Sequence, residues 1–330
     1  MIDTYRRLLR DERAELGVAD WSAAIAIARR YLPFIEKDLP QYVEEMRGLA
    51  EGAGAAFDDV LVLNTIESIT ADRLHLGCTS LAVSGDVSRD GSVLLAHNED
   101  WYPDDIEDVF LVHARPEGEP PFLALSYGGL LPNIGLNAAG IAQGCDTVYA
   151  TDVRLGIPRT IVARHVLAAS SIEEATSAAV HPERAAGYNH LLATAAGEIF
   201  NLEASATRHE RIEPVGGLAA HTNHYISSHM VAVEDGPQTR LRSRRRLARA
   251  RQRIEARAGE VDADLLVEVL SDHDGFPYSI CSHVLDQPSP LDNQQTIAGV
   301  VIDLTHRTML AGWGNPCQAA FAEFALPDPW

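Results

Sequence analysis

The sequence predicts an α+β chain, or a layered αββα domain, rather than an alternating parallel sheet. Three observations lead there. Residues 1–73 read as helix after helix. From Cys78 the texture changes to short apolar runs separated by turn signals, and those runs come in groups interrupted by pairs of helices.

The front segment divides into TYRRLLRDERAEL, then WSAAIAIARRYLPFIEKDLPQYVEEMRGLAEGAG, then DDVLVLNTIESI with Asp58 or Asp59 as the expected N-cap. Strand texture follows in TSLAVSGD and SRDGSVLLAHNEDW, with a turn at Asp90–Gly91, and continues in DVFLVHAR and PFLALSYGG. NIGLNAAGIAQGCDT reads as strand, turn at Asn137–Gly140, strand. PRTIVARHVLAA and SIEEATSAAV are the next helices, with Pro158 expected near N1 of the first. NHLLATAAGEIFNLEAS reads as a hairpin about Ala196–Gly197. After a basic helix and DADLLVEVLSD, SICSHV and QTIAGVVIDLTHRTMLAGWG are expected to close the chain as strands. The basic stretch, 239–260, holds nine arginines between Arg240 and Arg257. A solvated helix with Leu241, Leu247 and Ile254 turned inward explains it better than a docking site for an anionic carrier.

Composition bounds the function. With 330 residues, 46% hydrophobic and 22% charged, the chain is in the globular range. A net charge of −20 repels phosphate backbones and anionic bilayers, so neither a nucleic-acid nor a membrane partner is expected. AIAIA at 24–28 and IVARHVLAA at 161–169 fall short of the roughly 20 apolar residues that span a bilayer. MIDTYRRLLRDERAELG lacks the apolar core of a secretory signal, so a cytoplasmic protein is expected. Cys78, Cys145, Cys281 and Cys317 lie far apart and are expected to be four separate thiols. His221, His224 and His229 with Asp272, His273 and Asp274 match no metal signature, so neither a metal nor a cofactor is expected.

Chemistry concentrates in LHLGCTSLAV, residues 74–83. Gly77 takes bulk away from the carbonyl preceding Cys78, so the thiol can reach it, form a thioester by an N-to-S acyl shift, and let water cut the chain. The product begins with a cysteine that holds both a thiol and an α-amine. Such an amine, with a reference pKa of ~7.7–8, suits removal of the thiol proton at neutral pH.

GCTS at 77–80, HNEDW at 97–101, IGLNAAGIA at 134–142, HTNHY at 221–225, FPYSIC at 276–281 and the closing VVIDLTHRTMLAGWGNPC occur in order over nearly the whole chain. Together they resemble the acyl-coenzyme A:6-aminopenicillanic acid acyltransferase family of the N-terminal-nucleophile hydrolases. The resemblance implies a four-layer αββα fold behind a helical pro-segment. It also implies self-cleavage into a small subunit, 1–77, and a large one, 78–330, which stay associated. Cys78 matches the nucleophile, Asp100 the acid that positions the new amine, and Asn223 the oxyanion donor. Trp101, His224, Tyr278 and Ser279 within the motifs, and His283 just after FPYSIC, are the candidates for substrate contact. The implied activity is cleavage or transfer of an acyl group at an amide or thioester bond of a small N-acylated amino compound, without a cofactor. An acyl-coenzyme A-dependent N-acyltransferase and a non-catalytic acyl-binding protein are the alternatives, and the sequence is compatible with a homo-oligomer. Relatives often place an arginine after SIC, where this chain has Ser282 and then His283. A carboxylate-binding cation is therefore missing there or replaced by a histidine that is only partly charged at neutral pH.

Overall fold

The computed structural model describes residues 1–70, 73–74, 76–235, 240–286 and 288–327. Six helices come first: α1 (Ile2–Asp11), α2 (Arg13–Leu16), α3 (Trp21–Ala28), α4 (Leu32–Asp38), α5 (Pro40–Ala53) and α6 (Phe57–Ile69). Pro33 and Pro40 each fall in the first turn of a helix, where a missing N–H goes unnoticed, so they split the long periodic stretch into three helices. Neither Asp58 nor Asp59 is the N-cap of α6. The helix starts earlier, with Ala56 at that position, and both carboxylates lie in its first turn at the positive end of the helix dipole. There Asp58 accepts from Arg29, and Asp59 accepts from the Trp21 indole and from Arg6.

The strands are β1 (Gly77–Val83), β2 (Leu94–Trp101), β3 (Val109–Ala114), β4 (Phe122–Tyr127), β5 (Ile134–Asn137), β6 (Ile141–Thr147), β7 (Tyr188–Thr194), β8 (Ile199–Ala204), β9 (His209–Ile212), β10 (Leu218–His221), β11 (Gln295–Asp303), β12 (Thr308–Trp313) and β13 (Ala322–Ala325). They make two antiparallel sheets, ordered β10-β1-β2-β11-β12-β13 and β3-β4-β5-β6-β7-β8-β9. The inner faces share one core, in which Ala82, Leu95 and Val300 of the first sheet meet Leu123, Leu136 and Leu191 of the second. α7 (Arg159–Leu167) and α8 (Ile172–Ala179) cover the outside of the second sheet, where Val166 and Ala175 pack with Leu192 and Phe200. Beyond the short α9 (Ser228–Val231), α10 (Arg240–Glu255) and α11 (Ala263–Leu270) cover the first sheet, with Leu247, Ile254 and Leu265 against Leu81, Val83 and Ala96. This is the four-layer αββα fold. Strands covered on both faces explain the continuous apolar runs in the sequence.

The expected turns form: Gly91 and Gly140 take positive φ, and Asp90 and Asn137 accept from backbone N–H groups two residues on. Three details differ. Pro158 is the N-cap of α7 rather than its first residue. Ser279–Val284 is not a strand but a loop, tied to β11 by paired bonds between Ser282 and Thr296. Leu241 is exposed, because the inward stripe of α10 runs through Ser243, Arg246, Leu247, Ala250 and Ile254, and Leu241 lies off that helical face.

The front helices are not a separate body. Tyr5, Leu9, Tyr42, Met46 and Leu61 share a core with Trp101, Tyr127, Ile161 and Ile297 from beyond residue 77. Buried beside that core, Glu67 of α6 receives the Arg159 fork at 2.7 and 2.8 Å, the Tyr188 hydroxyl at 2.7 Å and Thr147 Oγ1 at 3.2 Å.

Candidate active site

β1 begins at the Gly77–Cys78 junction, and its register with β2 sets Gly77 opposite Asp100 and Cys78 opposite Glu99. Side chains alternate along a strand. Cys78 and Glu99 therefore face the space between the sheets, while Asp100 faces the α10 side. A Cβ at position 77 would sit 2.9 Å from Asp100 Oδ2, so glycine is required by contact as well as by reach. Thr296 Oγ1 donates to Asp100 Oδ1 at 2.6 Å. Burial raises the Asp100 pKa, against the pull of the Arg246 charge and the Thr296 bond.

Asn223 follows β10, the neighbour of β1 on its other side. Its Oδ1 accepts from Cys78 N at 2.9 Å and from Arg246 Nη2 at 2.6 Å. Its Nδ2 gives one hydrogen to Thr147 O at 3.1 Å. The other hydrogen remains for a second acceptor. Arg246, buried on α10, also donates to Cys78 O and, at 2.8 Å, to Thr79 Oγ1. Tyr149 OH holds Leu76 O at 2.9 Å, just ahead of the junction.

The Cys78 sulfur lies 3.8 and 3.9 Å from the two Glu99 oxygens. Glu99 is held by Tyr127 OH at 3.0 Å and faces His97 Nε2 at 2.9 Å. The His97 Nδ1 atom meets Ser80 Oγ at 2.9 Å, and Ser80 in turn donates to Asp146 Oδ1 at 2.9 Å. A continuous buried path thus runs from the thiol through Glu99, His97 and Ser80 to Asp146. Burial pushes the thiol pKa well up, the Glu99, Asp146 and Asp100 charges add to that, and the Thr147 N–H works against it. Burial likewise pushes Glu99 well above the usual carboxylate range and His97 down to about 4. His97 is therefore neutral at pH 7, and burial favours the protonated form of Glu99, whose O–H faces the free lone pair of His97 Nε2. Cys78, His97 and Glu99 could offer three atoms to a metal, but these contacts already pair His97 and Glu99 with each other.

The junction opens into a cavity of about 290 Å³, whose walls include Gly77, Asp100, Asn223, Arg242, Tyr278 and Asp292. Among the residues expected at the site, Gly77, Asp100, Asn223, Tyr278, Ser279 and His283 line this cavity, while Cys78 is buried behind Gly77 and does not. Trp101 does not: it is buried in the core, donates to Asp105 Oδ2 at 3.0 Å and packs on Tyr127. His224 does not either, because Ser243 Oγ of α10 holds its Nδ1 at 2.6 Å. The other polar residues considered as a metal group disperse. His221 pairs with Glu203, Asp272 with Arg249, and His273 with His283. All four cysteines are free thiols, although Cys281 and Cys317 bring their sulfurs to 3.7 Å.

Sequence reasoning missed Glu99 and Arg246. Glu99 sits inside the quoted HNEDW, and strand alternation with Asp100 puts it on the thiol's side. Arg246 falls on the inward stripe with Leu247, Ala250 and Ile254, so α10 is not purely solvated. Arg242 lines the cavity too, 5.0 Å from the Tyr278 ring centre and 4.0 Å from Asp292.

The family model for acyl-coenzyme A:6-aminopenicillanic acid acyl-transferase matches residues 87–318. The chain belongs to this family. Within it, the 40 kDa form of acyl-coenzyme A:6-aminopenicillanic-acid-acyltransferase from Emericella nidulans is 23% identical over 282 residues, covering 84% of this chain and 76% of that protein. A β-alanyl-dopamine/carcinine hydrolase from Drosophila melanogaster is 28% identical over 162 residues, 43% of this chain and 41% of that one. The fold of the acyltransferase family is matched in solved structures. The Caenorhabditis elegans orthologue of N-acylethanolamine-hydrolyzing acid amidase aligns with TM-score 0.50 and 14% identity, over 76% of this chain and all of that one. A mutant conjugated bile acid hydrolase from Clostridium perfringens aligns with TM-score 0.51 and 12% identity, over 76% and 97%. Among the described residues, no helix is long and apolar enough to cross a membrane.

Proposed function

We propose that this chain is a self-processing enzyme that hydrolyses the amide bond of a small N-acylated amino compound through an acyl-thioester on Cys78. One observation carries the reading. Gly77 lines the cavity with Asp100 against it, and the buried Cys78 that follows has Asn223 on its nitrogen and an acceptor beside its thiol. In the first, single-use reaction, Cys78 Sγ adds to the Gly77 carbonyl carbon. Its proton passes to Glu99 as Glu99 gives its own to His97, the C–N bond breaks, and the Cys78 nitrogen takes up a proton. Water then hydrolyses the Gly77 thioester, leaving a carboxylate, a thiol and a new α-amine. That transfer is uphill, given the high thiol pKa and the weak basicity of His97, which suits a step each chain performs once.

In turnover the α-amine, held by Asn223 Oδ1, takes the thiol proton and the thiolate attacks the substrate carbonyl. The remaining hydrogen of Asn223 Nδ2 stabilises the oxyanion, the leaving amine collects the proton, and water resolves the thioester. Hydrolysis is favoured over acyl transfer because Asp100, Arg242, Arg246, Asp292 and Gln294 make the cavity wall hospitable to water. The family relatives include both an acyltransferase and a hydrolase, each acting on its own substrates.

Intact-mass measurement tests the reading. The 35.9 kDa chain should separate under denaturing conditions into pieces of about 8 and about 28 kDa, split in proportion to residue number. Edman degradation of the larger piece should read CTSLAV. A chain that stays whole on long incubation, or a different first residue, defeats the proposal.

A further inference from the structure

Where His283 leaves the cavity wall, and apart from Cys78, four side chains bring their donor atoms together. The Nε2 atoms of His273 and His283 are 3.0 Å apart. From His283 Nε2 the Cys281 sulfur is 3.5 Å away and the Cys317 sulfur 3.4 Å, and the sulfurs are 3.7 Å from each other. All four atoms lie within 4.8 Å of one another. Hydrogen bonding does not account for this convergence. A ring nitrogen offers one N–H or one lone pair, yet His283 Nε2 faces two thiols and a second imidazole.

A metal ion does account for it. Tetrahedral zinc, with Zn–S of ~2.3 Å and Zn–N of ~2.0–2.1 Å, spaces its ligand atoms by ~3.8 Å for S–S, ~3.5 Å for S–N and ~3.3 Å for N–N. The S–S edge and the two S–N edges at His283 reproduce this set, the N–N edge is a little short, and both sulfurs lie within 4.8 Å of His273 Nε2. We propose that His273, Cys281, His283 and Cys317 form a structural zinc site. Two thiolates and two imidazoles favour zinc over magnesium or calcium, which prefer oxygen. Binding forms two Zn–S and two Zn–N bonds and releases the two thiol protons, with no redox change and a neutral centre.

The surroundings are built for such a site. Its ligands come from two loops, one between α11 and β11 and one between β12 and β13. Asn315 bridges them, donating to Ser282 O at 2.6 Å and lying 3.9 Å from the Cys281 sulfur. Cys281 N donates to Asp272 O at 3.0 Å, so backbone on both sides orients the sulfur. Four protein ligands leave no open position, which marks the metal as a clamp and not a reagent. It fixes the loop that gives the cavity Pro277, Tyr278, Ser279, Ser282 and His283. The inference stands whether or not the chain cuts itself at Cys78.

The test uses the full-length chain. Elemental analysis of protein purified from zinc-supplemented medium should give about one zinc per chain. After removal of metal by a chelator, cobalt(II) chloride should restore the visible absorption of tetrahedral cobalt with a thiolate charge-transfer band, and zinc should displace it. Cys317→Ser and His273→Ala should each lose or shift those bands, while Cys78→Ala keeps them. If the variants do not fold, alkylation of the wild type decides. Zinc should shield the exposed Cys317 from iodoacetamide, and chelator should expose it. Four outcomes overturn the proposal: a metal-free protein that gives no cobalt bands, a Cys281–Cys317 disulfide in place of metal, folded Cys317→Ser or His273→Ala protein that retains the bands unchanged, or loss of the bands in Cys78→Ala, which would move the metal to Cys78, His97 and Glu99.

Discussion

The roles proposed for Cys78 and Asn223 predict different outcomes for single substitutions. Cys78→Ala should remain one uncut chain without turnover, because both reactions need the thiol. Asn223→Ala keeps the thiol but loses an oxyanion donor, which typically lowers the rate by ~10²–10³. Its defect should appear in kcat of whatever fraction is processed, and a change confined to KM would remove Asn223 from the oxyanion role. Glu99 makes a different prediction, about stability. Its folded pKa lies above the ordinary 4.5 because burial opposes the charge. Between those two values the folded state binds more protons than the unfolded one, so this group destabilises the fold increasingly as pH rises through the window. Glu99→Gln is a permanently neutral isostere that can still donate to His97. It should melt higher than the wild type at neutral pH, with the gap closing as pH falls toward 4.5, yet process more slowly for want of a proton acceptor. Melting curves from pH 4 to 8, beside the rate of fragment formation, check both halves. Equal melting at every pH would show that Glu99 is not held neutral.

At the scale of elements, α10 does more than cover the first sheet. Its inward stripe carries Arg246 to the Cys78 carbonyl, Thr79 and Asn223, and it sets a positive charge near Asp100. Arg246→Lys keeps a cation but loses the planar fork that serves three acceptors at once. Hydrogen bonds to charged groups are worth ~1.5–3 kcal/mol each, so processing should slow by about 10–100-fold in a chain that still folds. Rates near wild type would assign the fork a packing role alone. The helix also marks where the sequence stopped being legible. The texture change at Cys78 and the paired strands were readable, because strand alternation and turn residues are local signals, whereas Asp100 and Asn223 were legible only through the resemblance of HNEDW and HTNHY to family motifs. The inward arginine was hidden by eight neighbours of the same type. The strands β9, β10 and β13 were missed as short and flanked by charge or glycine. Trp101 and His224 were placed beside the substrate on adjacency to motifs, but neighbours in a strand or tight loop point opposite ways. Cys281 and Cys317 are 36 positions apart, and only the return of β12 toward the α11–β11 loop unites them.

For the whole molecule the question is why a chain cut at residue 77 should stay in one piece. The front helices share a core with Trp101, Tyr127, Ile161 and Ile297, and Glu67 joins them to Arg159, Tyr188 and Thr147 without exposure to water. Burial alone would raise the Glu67 pKa, but the Arg159 charge and fork, with the Tyr188 and Thr147 bonds, hold it below 4.5. A carboxyl with a depressed folded pKa gives stability that is full above the unfolded value and is lost as pH falls through the folded one. The cut protein should therefore elute as a single species at neutral pH. Glu67→Gln should weaken the association, since removing one partner of a buried ion pair costs ~3–5 kcal/mol and takes the countercharge away from the Arg159 guanidinium. The difference between variant and wild type, compared at matched pH so that other carboxyls cancel, should be largest at neutral pH and shrink below 4.5, where Glu67 itself takes up a proton. Urea titrations of processed protein, followed by size-exclusion chromatography of the two pieces, measure this directly. Fragments that separate at neutral pH without denaturant would break the argument, because the shared core and the buried pair would then not be holding them together.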